Sequence, residues 1–158
     1  MSMFGSIDTA ASGLTAERLR MDVISNNLAN ANTTRTAEGG AYHRRYVVFQ
    51  PRELNEKGGF LGYLDTAIRR KQGYNQNRGQ GNGVRALRIQ EDRTPGPLVY
   101  DPGNPDANEQ GYVERPNVNP VAEMVDMITA SRGYEANATT IQAAKAMAQS
   151  ALKMGSGS

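Results

Sequence analysis

The chain has 158 residues, a formal net charge of +2, no Cys, no Trp and three Phe. Without Cys there is no disulfide and no thiolate metal site, and with Leu, Ile, Val and Phe supplying only 27 residues a large self-sufficient core is not expected. The low net charge argues against wholesale disorder, so composition describes a chain that is partly unfolded alone and orders inside an assembly.

Charge is unevenly placed. Residues 35–88 carry eleven Lys/Arg against four Asp/Glu, and residues 91–135 carry three against nine. That asymmetry suits solvated faces, head-to-tail packing of copies, or nucleic acid on the basic stretch; no RNA-binding or zinc-finger pattern accompanies the last. The N-terminus lacks the basic and apolar regions of a secretory signal, and no apolar window is long enough for a membrane span. A cytoplasmic location follows, unless the protein leaves by a route needing no cleaved signal.

The first predicted element is a helix over 3–31. Ile7, Leu14, Met21 and Leu28 recur at sevens, and Ala10, Glu17, Ile24 and Ala31 interleave; the alternating 3-4 spacing is that of a coiled-coil seam. Asn30, Asn32, Thr33 and Thr34 then compete for backbone hydrogen bonds and break the helix.

A strand is predicted from Tyr42 to Gln50, ended by Pro51. After Gly58-Gly59 comes a short apolar run, Phe60 to Leu64, and then a flexible Gly/Asn/Gln-rich loop over 71–83. Val84 to Gln90 reads as a second strand. Thr94 to Pro105, with four prolines and two glycines, reads as turns and extended chain.

The last element is a helix over 120–153, with Asn119 as N-cap and Pro120 at the first helical position. Glu123 and Asp126 suit its positive end, Lys145 and Lys153 its negative end. Met127, Tyr134, Ile141 and Ala148 form one heptad series; Ala130, Asn137, Ala144 and Ala151 form the other. A single seam Asn fixes register at some cost in stability. An ordinary private helical hairpin is the alternative reading of both seams, and it does not exclude assembly.

The predicted fold is therefore mainly α with a small β module. Two long terminal helices form a coiled-coil-like pair around an irregular β-rich central insertion, divided as 1–34, 35–111 and 112–158. Phe4, Val23, Val125 and Ile128 are left on outward faces for neighbours. Residues 101–119 are expected to be a pinned connection, with Tyr112 buried.

No catalytic chemistry is legible. His43, beside Arg44 and Arg45, has neither a nucleophile nor an orienting partner in any motif. Residues 79–83, GQGNG, lack the Lys-Ser/Thr of a P-loop and no helix follows. Asp101, Asp106, Glu109 and Glu114 depart from calcium-loop spacing. No cofactor or metal is expected, and the chain is read as structural.

Three stretches resemble the bacterial flagellar rod and hook family: SNNLANANTT at 25–34, VYDPGNPDANEQGYVERPNVN at 99–119, and PVAEMVDMITASRGYEAN at 120–137. The first is common to many members, and the last two are more specific to the proximal rod. The residues carrying the likeness are Asn26, Asn27, Asn30, Asn32, Thr33, Asp101, Pro102, Pro105, Gly111, Tyr112, Pro116, Asn117, Asn119, Glu123, Met124, Tyr134, Glu135 and Asn137. Arg115, Pro120 and Gly133 depart from the family's pattern; mid-helix Gly133 costs about 1 kcal/mol against Ala unless it serves close helix contact.

The resemblance implies a subunit exported unfolded through the flagellar type III apparatus without a cleaved signal. It would polymerise helically into the proximal rod of the basal body, in the periplasmic space, and carry torque from the MS ring towards the distal rod and hook. Its partners would be itself, the other proximal and distal rod subunits and the MS-ring adaptor, with no nucleic acid and no membrane insertion. The expected assembly residues are Phe4, Ile7, Leu14, Met21, Ile24, Leu28, Val125, Ile128, Tyr134, Asn137, Ile141 and Ala144. A distal-rod or hook-associated role is the related alternative, and a basic nucleic-acid binder the unrelated one.

Overall fold

The computed structural model describes residues 3–52 and 83–155, with side chains from Gly5 onward. Among the described residues two helices, α1 (Met3–Ala29) and α2 (Pro120–Gly155), flank four strands: β1 (Arg45–Pro51), β2 (Val84–Glu91), β3 (Leu98–Tyr100) and β4 (Tyr112–Glu114). The apolar run 60–64, the loop over 71–82 and the Phe4 side chain lie outside the described residues. Among the described residues no helix is long and apolar enough to cross a membrane.

Local chemistry sets the helix ends. At the start of α2, Asn119 Oδ1 accepts from the backbone N–H groups of Val121 and Ala122 at 3.0 and 3.3 Å, which is the predicted cap. At the end of α1, the Asn30 side chain donates to Asn26 O at 2.9 Å. Turns from Ala31 to Leu28 and from Thr33 to Asn30 then carry the chain away.

The helices pack antiparallel. A Cβ on Gly13 would lie 2.9 Å from the Asn137 side chain, one on Gly133 would lie 3.3 Å from Glu17, and Asn27 bonds to Glu123. Each step forward on α1 is thus an equal step back on α2. Of the two expected series on each helix, the one through Ala10, Glu17 and Ile24 and the one through Ala130, Asn137 and Ala144 face the partner, and Gly13, Asn27 and Gly133 complete the contact in place of the other. Ala10, Gly13, Glu17, Ile24 and Asn27 face Glu123, Ala130, Gly133, Asn137 and Ala144. Ala10, Ile24, Asn27, Glu123, Ala130 and Ala144 are all buried.

The larger side chains of the other predicted series sit on the shoulders instead. Ile7, Leu14, Met21 and Ile141 are half-buried, while Leu28 and Tyr134 are 38 % and 37 % exposed. The physical reason is close approach. Gly, Ala and polar positions let two backbones come together where Leu and Tyr would hold them apart. Gly133 therefore serves helix contact. Ala151, placed in the expected seam, is exposed, because by this register α1 ends level with Met147. The last turns of α2 overhang by about 12 Å at 1.5 Å per residue.

β1 and β2 pair antiparallel from Arg45↔Glu91 to Pro51↔Val84, with a bulge at Val48/Phe49. Partners in such a ladder share a face. One face carries Val47, Phe49, Val84 and Ala86; it lines clefts with Val23 and Ile24 and with Ser12, Ala16 and Leu19 of α1. Val23, expected to face a neighbour, is buried here at 7 % exposure. Ser12 Oγ accepts from Val84 N at 3.0 Å, and Arg52 N donates to Gly83 O at 2.9 Å, so the end of β1 and the start of β2 meet at one point beside α1.

The second sheet was not expected. β3 and β4 pair within the proline-rich connection, Leu98↔Glu114, Val99↔Val113 and Tyr100↔Tyr112. Val113 is buried at 3 % exposure, while Tyr112, expected inside, is 42 % exposed. Strand alternation explains the exchange, since neighbouring residues point to opposite faces. Thr34 Oγ1 donates to Asp106 Oδ2 at 2.8 Å, tying this unit to the chain leaving α1.

Candidate assembly interface

The features that could bind partners are surfaces, and they are held in place by a buried polar node. Its hub is Asn27, fully buried inside α1. Its Nδ2 donates to Arg45 O at 2.7 Å and to Glu123 Oε2 at 2.9 Å. Its Oδ1 accepts from Tyr42 Oη at 3.0 Å and from Arg45 N at 2.9 Å. Every donor and acceptor of the amide is used.

Glu123, also fully buried, is the second member. Its Oε1 accepts from Arg44 Nε at 2.6 Å, and the same guanidinium reaches Asp126 at 3.3 Å. Arg44 N donates to Asn117 Oδ1 at 2.7 Å, and Asn117 Nδ2 donates to the carbonyls of Asp92 and Thr94, both at 2.9 Å. Five segments therefore meet here: the end of α1, the start of β1, the exit of β2, the connection at Asn117 and the start of α2. Burial raises the Tyr42 hydroxyl above its ordinary value of 10.0, opposed by the nearby Arg45 charge. Hydrogen bonds from the Thr94 hydroxyl and backbone N–H hold the exposed Asp92 carboxyl below its ordinary range.

Around this node the surface is apolar in places. On α2, Val121, Met124, Val125 and Ile128 are 66, 48, 59 and 59 % exposed. Their i, i+3, i+4, i+7 spacing makes one stripe. On the overhang, Leu152 and Met154 are 74 % and 76 % exposed. Val125 and Ile128 are therefore open to solvent. Asn137 is half-buried and Ala144 buried, so both serve the internal pair.

The remaining family-like residues sort by role. Asn26 lies within α1, its side chain donating to Asp22 O at 3.3 Å. Asn32, Asp101, Pro102, Pro105 and Glu135 are exposed, and Pro116 is buried. Thr33 Oγ1 donates to Asn30 Oδ1 at 3.2 Å, and Thr33 O accepts from Tyr42 N at 3.1 Å. Gly111 takes φ 80°, a conformation open to Gly without strain, at the turn into β4. Sequence reasoning singled out Asn27, Asn117 and Glu123 but missed Arg44 and Tyr42. A buried carboxylate demands a cation, but nothing local says which one.

Two family models match the chain: "Flagella basal body rod protein" over residues 7–35 and "Flagellar basal body rod FlgEFG protein C-terminal" over residues 109–154. The chain is 50 % identical over 159 residues to the flagellar basal-body rod protein FlgC of Borreliella burgdorferi, covering 96 % of this chain and 97 % of that one. It is 43 % identical to the FlgC of Bacillus subtilis, covering 98 % and 99 %. With the FlgC of Salmonella typhimurium it shares 35 %, again over 98 % and 99 %.

Proposed function

Because the chain belongs to the FlgC family of flagellar basal-body rod proteins, and is a structural rod subunit and not an enzyme, we propose that it polymerises helically in the proximal part of the rod. In this reading the α1–α2 pair is the assembling unit, and the module between the helices faces away from it. The subunit passes torque from the MS-ring side towards the distal rod and hook. It reaches the periplasmic space unfolded, through the type III export apparatus, and meets other rod subunits and the MS-ring adaptor there.

The observation that carries this reading is the stripe Val121, Met124, Val125 and Ile128, exposed beside a fully satisfied polar node. Full burial of such a side chain is worth about 1.5–3 kcal/mol. These are already half-covered, so the stripe offers roughly 4 kcal/mol, about a millimolar contact by itself. A shaft must therefore sum several such contacts per subunit. The sparse internal core suits a chain that has to be exported unfolded.

The test is Ile128→Asp expressed in place of the native chain. We expect normal expression, an unchanged monomer circular dichroism spectrum, and loss of the subunit from isolated basal bodies together with loss of swimming. Normal swimming would remove the stripe from the interface.

A further inference from the structure

The two small sheets carry opposite charge on their outer faces. On the β1–β2 hairpin, the second face holds Tyr46, Val48, Arg85 and Arg88 by its pairing register, with Leu87 at the bulge 55 % exposed; Tyr46 and Arg88 also border a cleft with Val23 and Asn26 of α1. The Arg88 guanidinium donates to Gln90 at 3.0 Å and that of Arg85 to Gln50 at 3.4 Å. Among the described residues neither meets a carboxylate, whereas Arg35, Arg44, Arg45 and Arg52 all do.

On β3–β4 the outer face is Leu98, Tyr100, Tyr112 and Glu114. The two rings meet edge to face at 5.3 Å, and Leu98 and Tyr100 are 65 % and 64 % exposed. Glu114 accepts from Gly96 N at 3.1 Å. It has no cation partner among the described residues, and neither do Asp101 and Glu109 beside it.

We propose that these faces are the two halves of one contact between successive copies of this chain, the β3–β4 face of one copy lying on the β1–β2 outer face of the next. The commitment to a second copy rests on complementarity. Each face has an apolar or aromatic centre, and each carries charges that meet no opposite charge among the described residues, cationic on the hairpin and anionic on β3–β4. The faces differ, so the contact is heterologous and propagates without closing on itself, as a filament requires. Each patch holds only four or five side chains, well short of the roughly 800 Å² per partner of a stable interface. Its part is therefore register and partner choice, with adhesion left to the helices. The inference rests on the rod reading above.

The test uses the full chain in cells, compared by basal-body incorporation. Arg88→Glu and Glu114→Arg singly should each lower incorporation about tenfold, and the double exchange should restore it. Arg88→Cys with Glu114→Cys, in a chain that has no other Cys, should give disulfide-linked ladders of this chain in isolated basal bodies. The proposal is overturned if the folded single variants incorporate normally, if the double exchange fails to rescue, or if the cysteines cross-link only to a different rod protein. Those results leave the rod reading standing provided Ile128→Asp still blocks incorporation; absence of the native chain from basal bodies would defeat the rod reading itself.

Discussion

Asn27 does more than any other side chain to decide how this chain folds. A carboxamide with both donors and both acceptors engaged has no polar atom left over, and four partners depend on it. Asn27→Leu would leave the Tyr42 hydroxyl, the Arg45 peptide groups and one Glu123 oxygen short of a partner at once. At about 1–3 kcal/mol for each buried orphan, with some relaxation, we expect a loss of about 3–5 kcal/mol, a large share of a typical domain's stability. Tyr42 adds a pH signature. Its folded-state pKa lies above the ordinary 10.0, so its contribution is complete below pH about 10 and disappears as pH rises through the raised value. Unfolding followed from pH 8 to 12 should show that alkaline loss in the native chain. Tyr42→Phe should remove it while costing about 1 kcal/mol at neutral pH; an unchanged alkaline profile would contradict the assignment.

At the scale of elements, the approach of α1 and α2 is set by two glycines of unequal tolerance. A Cβ at Gly13 would meet all three terminal atoms of Asn137 at 2.9 Å, and that carboxamide is tethered to Gly133 O at 2.9 Å. A Cβ at Gly133 would meet the flexible Glu17 chain at 3.3 Å, and Ala there gains about 1 kcal/mol of helix propensity. Gly133→Ala should therefore be neutral or stabilising, and Gly13→Ala destabilising by about 1–3 kcal/mol as the helices are pushed apart. Thermal melts of the two variants separate them, and the reverse order would disprove the pairing described.

The same elements show what a sequence displays and what it hides. Both helices were legible because heptad spacing and an Asn-Pro start are local signals, and the β1–β2 strands because Val- and Ile-containing runs end at Pro or Gly. The seam's phase was hidden. Leu14, Met21 and Ile141 look like core, yet the closest contacts fell to Gly, Ala and Asn, whose value appears only once two backbones face each other. β3 and β4, three residues each among prolines, carry too little pattern to stand out. Glu123 looked like a dipole-facing surface acid because its partners Arg44 and Asn27 lie 79 and 96 residues away in sequence.

At the scale of the molecule, five of the ten buried hydrophobic residues named among the described residues are Ala, so the helix pair is thinly cemented except at the polar node. Protection in a dilute monomer should be graded. Hydrogen exchange should be slowest around Asn27 and Glu123 and fastest towards the two helix ends remote from that node, where α2 runs on past the end of α1. Assembly should extend protection over both helices. Uniform slow exchange along α1 and α2 in the monomer would contradict this picture of a subunit finished by its neighbours.

The single hydrogen bond between Arg52 and Gly83 has a separate consequence. The entropy of closing a flexible segment across such a neck grows only logarithmically with its length, about 0.6 kcal/mol for each doubling. We therefore expect a flexible insertion between Arg52 and Gly83 to leave the β1–β2 pairing and the helix pair in place, with a thermal midpoint close to that of the native chain.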